Sequence, residues 1–100
     1  MYSYVWEFLV HPDYKTEFES SYGSGGEWVS LFGQDSAYIQ TKLLKDWNNP
    51  LRFMTIDTWK SREQYLSFRE KFQKEFETLE EKYVGFTLSE RFLGDFELLE

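Results

Sequence analysis

The chain contains no cysteine and a single histidine, His11. Disulfide stapling and thiolate chemistry are therefore excluded, and nothing points to export into an oxidising compartment. A transition-metal site of the usual nitrogen and sulfur ligands is excluded too, because His11 would stand alone. The same count weighs against a Ser-His-Asp triad, which would have to rest on that one residue before Pro12. Basic charge is scarce: 11 Lys and Arg stand against 18 Asp and Glu, a net charge of -7. No Lys/Arg cluster offers a face for nucleic-acid phosphates or an anionic membrane surface. No run of 18 apolar residues occurs, and Met1–Val10 lacks the basic-then-apolar order of a signal segment. The expected setting is cytoplasmic. No flavin or dinucleotide fingerprint is present, so no cofactor is expected. Gly23-Ser24-Gly25-Gly26 lacks the Lys-Ser/Thr of a phosphate loop and follows a helical pattern, so it reads as turn chemistry.

Aromatics, by contrast, are abundant. Four Trp, seven Tyr and ten Phe make up 21% of 100 residues. That length is one domain, residues 1–100, with a modest core. Such a core cannot easily enclose every large ring. Aromatics left near the surface mark an interface or a ligand cavity.

The pattern along the chain is α+β. Tyr2–Val10 is apolar at every second residue, Tyr2, Tyr4, Trp6, Phe8 and Val10, which marks a strand. Its other face, Ser3, Val5, Glu7 and Leu9, is also fairly apolar, so both faces are expected to be covered. Pro12 and Asp13 suit a helix start. Tyr14, Phe18 and Tyr22 form one stripe that should end near Gly23. A short helical turn carries Trp28, Leu31 and Phe32 and ends at Gly33. Strands are predicted over Ser36–Asp46 and Leu51–Trp59, joined at Trp47-Asn48-Asn49-Pro50 as a hairpin. Ser61-x-x-Gln64 is a capping box for a long helix with its stripe at Tyr65, Phe68, Phe72, Phe76, Leu79 and Tyr83. Gly85 should end it. Phe86, Leu88, Phe92 and Phe96 then alternate through a last strand, with Glu90 on the same face. The order β-α-β-β-α-β is that of a ferredoxin-like plait with a four-stranded antiparallel sheet.

Two carboxylates, Asp57 and Glu90, interrupt apolar strand faces. Buried carboxylates can do acid–base work or hold a hard cation; they can equally pair with an Arg or a Tyr hydroxyl inside the sheet. In this plait the third and fourth strands flank the first, and the two residues lie well apart along them. Each would therefore act singly. Asp57, between apolar neighbours, is the candidate proton acceptor or donor, with burial expected to raise its pKa.

The stretches from Tyr4 to Asp46, and FMTIDTWKSREQYLSF from Phe53 to Phe68, resemble the dimeric α+β barrel superfamily. Within it the chain is similar to the antibiotic-biosynthesis-monooxygenase-like domains, over about Tyr4 to Phe96. The resemblance implies a homodimer pairing sheet against sheet, with a pocket in each protomer's half. Tyr4, Trp6, Trp59 and Glu90 are the candidate pocket residues beside Asp57. Members include cofactor-independent oxygenases of polycyclic phenols, haem-degrading enzymes and proteins of undefined activity. Three functions stay open: a cofactor-independent monooxygenase acting on an aromatic or polycyclic molecule, a non-catalytic or regulatory dimer binding a small apolar ligand, and, ranked last, a haem-handling protein. The haem-degrading members use a helix-borne His that this chain does not have.

Overall fold

A computed structural model describes residues 1–99. Its sheet has the order β2-β3-β1-β4, with β1 at Tyr2–Val10, β2 at Tyr38–Lys45, β3 at Arg52–Trp59 and β4 at Thr87–Glu97. Strand β1 runs antiparallel to both β3 and β4, and β2 to β3. Helices α1 (Lys15–Tyr22) and α2 (Glu27–Phe32) follow β1, and α3 (Arg62–Lys71) and α4 (Gln73–Tyr83) follow β3. This is the four-stranded α+β plait that the element pattern predicts.

Punctuation residues set the boundaries. The His11 side chain accepts a hydrogen bond from the Asp13 amide at 3.1 Å and starts a 3-10 turn over Pro12–Tyr14. Here histidine is a cap. Gly23 ends α1, its amide bonding to the Glu19 carbonyl at 3.1 Å. At Gly26 a Cβ would fall 2.0 Å from the Ser21 carbonyl oxygen, so this tight turn admits only glycine. In the hairpin turn, Asp46 and Asn49 accept from the amides of Asn48 and Leu51, two residues on in each case. Ser61 caps α3 by accepting from the Gln64 amide at 3.2 Å.

Three expectations are corrected. The long helix is two: Phe72, at φ -109° and ψ 23°, leaves the helical region between α3 and α4. Its ring stacks on Phe68 at 5.0 Å, while Phe76 turns towards Trp28 at the same distance. The helix pair ends at Tyr83, and Val84–Phe86 form a 3-10 turn through Gly85. The third correction concerns Phe96. Register shifts between Trp6↔Phe92 and Val5↔Gly94, leaving Leu93 as an extra residue in β4. This bulge inverts the alternation. Gly94 takes φ 145°, a conformation that favours glycine. Phe96 therefore lies opposite Ser3, on the far face from Phe92, and is 56% exposed.

The core lies between the sheet and the helices. Phe8 and Phe53 pack on Phe18, and Trp59 on Phe32, Tyr38, Tyr65 and Phe68. Among the described residues, helices cover one sheet face. The other carries Val5, Leu9, Met54 and Ile56, with Leu44 and Phe96 exposed at its sides. At its centre Glu7 pairs with Arg52 and, at 3.2 Å, with Arg91.

Candidate functional site

The helix-covered face does not pack solidly. Between β1 and the α3–α4 pair lies a cavity of about 660 Å³, within the usual range for small-molecule sites. Tyr4, Trp6 and Phe8 of β1 and Thr55 and Asp57 of β3 form its floor. Tyr65, Arg69 and Phe76 roof it, and Tyr22, Trp28 and Phe32 close one side. On the β4 side stand Glu90, Phe92 and Asp95, all exposed. That side opens to solvent.

Strand register places the polar groups. Tyr4 lies opposite Asp57 on β3, and Thr41 of β2 lies opposite Asp57 on its other side. Three side chains from three strands thus share one face. Asp57 is 6% exposed, and burial pushes its carboxyl up to about 6, against the opposing effect of the Thr41 hydroxyl, which donates to Oδ1. Thr41 is bonded in turn to the Tyr38 hydroxyl at 2.7 Å. Since Thr41 has one proton and gives it to Asp57, Tyr38 is the donor in that second bond.

Three buried donors, the Tyr4 hydroxyl and the Trp28 and Trp59 indole N–H groups, make no hydrogen bond of full geometry. Of these, the Tyr4 hydroxyl and the Trp28 indole N–H belong to residues that line the cavity. An unmet buried donor costs about 1–3 kcal/mol, so these two groups are poised for a ligand's oxygen. Burial, and then the Asp57 charge, hold the Tyr4 phenol well above its usual range, so it stays a donor. Tyr65 packs against Tyr4 with ring centres 4.7 Å apart and planes tilted by 44°.

Arg69 supplies the positive charge. It donates to the Tyr65 hydroxyl at 2.9 Å and lies face-on over Phe76, 3.8 Å from the ring centre. Among the described residues no carboxylate comes within ion-pair distance of it. Arg62, also on the cavity wall, is engaged by Asp95 at 3.5 Å. Asp95 also accepts from Tyr2, whose phenol is pushed up to about 12, by burial first and this bond second.

The sequence candidates divide as follows. Asp57, Tyr4, Trp6 and Glu90 all line the cavity, whereas Trp59 does not. Trp59 is a correction: wholly buried, it sits one step further along the strand pair, where four aromatic rings enclose it. Glu90 lies at the open side, accepting from Thr87 at 2.9 Å. It is opposite Phe8 on β1, while Asp57 is opposite Tyr4. Four residues, roughly 13 Å of strand, separate the carboxylates, so they form no dyad. Thr41, Tyr38 and Arg69 are not candidates in the sequence, and Tyr65 and Trp28 enter there as helix-stripe residues and not as site residues. Only Arg69 had a visible signal: an arginine four residues after Tyr65, beside the apolar stripe. No cluster of three or more His, Asp or Glu among the described residues could hold a metal ion. No helix of the described residues is long and apolar enough to cross a membrane.

Known structures share this architecture. SnoaB, a cofactor-independent oxygenase from Streptomyces nogalater, superposes with a TM-score of 0.80 over 99% of this chain and 93% of its own, at 17% identity. A chain of Nitrosomonas europaea assigned to the antibiotic biosynthesis monooxygenases gives 0.73 at 14% identity, over the whole of both chains. A Bordetella bronchiseptica chain assigned likewise gives 0.74 at 12% identity, over 99% of this chain and 97% of its own. The chain has the antibiotic-biosynthesis-monooxygenase-like fold. No protein-family model matches the sequence, and no curated protein does.

Proposed function

We propose that the protein is an oxygenase that binds a flat hydroxylated aromatic molecule in this cavity and uses no bound cofactor. The observation that carries the reading is Asp57: a buried carboxyl with its pKa raised to about 6, next to the buried Tyr4 hydroxyl, in an aromatic-walled cavity. A carboxyl tuned towards neutral pH is suited to take a phenolic proton. The Tyr4 hydroxyl and the Trp28 N–H then donate to the substrate's oxygens. Arg69 balances the charge of the resulting anion. With a hydroxyanthrone, whose central ring carries a CH2, the anion is electron-rich enough to reduce oxygen itself: that CH2 becomes C=O, one oxygen atom stays in the product, and the other leaves with the two methylene hydrogens as water. The fold shared with SnoaB, a cofactor-independent oxygenase, supports this reading.

Oxygen uptake with a hydroxyanthrone tests it. Wild-type protein should consume one O2 per anthrone oxidised, and Asp57→Asn should lose at least about 100-fold in rate, the lower end of a general base's contribution. Binding without oxygen uptake would support the second reading, a non-catalytic ligand-binding protein, which the same cavity suits. No binding at all would remove both.

The proposal includes a homodimer. Its support is the uncovered sheet face, where Val5, Ile56, Leu44 and Phe96 surround the paired charges of Glu7 and Arg91.

A further inference from the structure

The cavity is open along β4, yet its base stands on the other side of β1. The sheet order is β2-β3-β1-β4, so Asp57 on β3 lies next to β2, the edge farthest from the opening. A ligand seated over Trp6 and Tyr4 would stand between the carboxyl and solvent. A base in that position needs another way to lose the proton it takes.

A hydrogen-bonded chain leads off in the required direction. The Tyr38 hydroxyl donates to Thr41 and the Thr41 hydroxyl donates to Asp57. Asp57 and Thr41 line the cavity, and Tyr38 does not. Tyr38 lies on the edge strand, half-buried, with its ring held between Phe32 and Trp59. The other ionisable group facing Asp57 from a neighbouring strand is Tyr4 of β1, whose hydroxyl makes no hydrogen bond of full geometry and neighbours Trp59 and Tyr65. On α3, Tyr65 and Arg69 stand over Tyr4 and the cavity, with their own bond to one another.

We propose that Thr41 and Tyr38 form a proton path linking Asp57 to solvent at the β2 edge, so that the carboxyl exchanges its proton while a ligand fills the cavity. One proton moves by three transfers: solvent to the Tyr38 oxygen, the Tyr38 proton to Thr41, and the Thr41 proton to Asp57. Release runs the same chain in reverse. No bond to carbon changes, and no electron is transferred. Burial raises the Tyr38 phenol above its usual value, so this group passes protons as a neutral hydroxyl. The inference rests on Asp57 acting as the base in the proposed function.

The test uses 4-nitrophenol, whose phenolate is coloured. Protein in excess is loaded with the probe below the Asp57 midpoint of about 6 and jumped above it by rapid mixing, and absorbance follows ionisation of the bound phenol. Tyr38→Phe keeps the ring and the Thr41–Asp57 bond, and should slow ionisation about tenfold or more, within reach of one positioned proton-transfer group. Thr41→Val should do the same, and Thr41→Ser should restore the wild-type rate. A merely structural role for these hydroxyls would shift probe affinity or melting temperature but leave the ionisation rate alone. Bound probe ionising at wild-type speed in both Tyr38→Phe and Thr41→Val overturns the path while leaving the base reading intact. Failure of wild-type protein to bind either 4-nitrophenol or the hydroxyanthrone removes the base reading, and the path with it.

Discussion

Thr41 and Asp57 face each other across the β2–β3 pair, and among the described residues the threonine hydroxyl is the one group bonded to the buried carboxyl. One neutral donor does not offset the cost of removing a carboxylate from water, so burial dominates and the pKa rises. The linkage follows. The folded-state value, about 6, lies above the ordinary 3.8. The folded protein therefore binds this proton more tightly than the unfolded chain does, and stability from this group is fully present below 3.8. It is lost as pH rises through 6. At the standard conversion the loss is about 3 kcal/mol.

Asp57→Asn should therefore melt at a higher temperature than wild type at neutral pH, because the amide keeps an acceptor for Thr41 and never ionises. The two melting curves should converge below about pH 4. Thermal melts between pH 3 and pH 8 (about the window just derived) measure this. A variant less stable than wild type at neutral pH would mean that Asp57 is a structural anion. A gain in stability with loss of turnover is the signature of a site maintained for function.

Tyr4→Phe removes a buried hydroxyl that makes no hydrogen bond of full geometry in the free protein. Its stability should be unchanged or higher by up to about 1 kcal/mol. Affinity for a phenolic ligand should fall by about 1 kcal/mol, the worth of one hydrogen bond. Paired melts and tryptophan-fluorescence titrations check both halves. Equal loss of stability and of affinity would show that the hydroxyl supports the fold.

Arg69→Met keeps the aliphatic cover over Phe76 and removes the charge. The bound phenolate then loses its counter-ion. The ionisation midpoint of bound 4-nitrophenol should rise by about one pH unit, equivalent to about 1.4 kcal/mol. Spectrophotometric titration of the complex reads this directly. An unchanged midpoint would place the guanidinium out of reach of the ligand's oxygen.

These groups differ in how legible they are in the sequence. Asp57 stands out locally, as an acid among Met54, Ile56 and Trp59. The period of two in β1, Gly23, Gly33 and Ser61 likewise give the plait from local signals. Thr41 is not legible, because its meeting with Asp57 depends on the β2–β3 register, and that pairing slips between Tyr38 and Gln40. Phe96 is misread for a related reason. Leu93 is an unpaired extra residue, and the glycine after it marks a bulge without saying which neighbour is left unpaired. Sequence periodicity yields a strand's faces only while pairing stays regular.

That inverted alternation bears on the last expectation, the dimer. With Phe96 turned to the outer face, the sheet shows Phe96, Val5, Ile56 and Leu44 on a diagonal that no helix of the described residues covers. Pairing this face with a second copy would remove these side chains from water and enclose the Glu7–Arg91 pair. Ile56 is opposite Val5 on β1 and Lys42 on β2, near the centre of the face. Its side chain points away from the cavity, because its neighbours Thr55 and Asp57 point in. Ile56→Lys adds a charge beside Lys42, and burying it unpaired in a dimer would cost several kcal/mol. In a monomer it would stay in water at little cost. Light scattering after size exclusion should give twice the chain mass for wild type and the chain mass for Ile56→Lys, with near-unchanged helical and strand signal by circular dichroism. A wild-type protein that stays monomeric at micromolar concentration would leave the outer face uncovered and rule out this pairing.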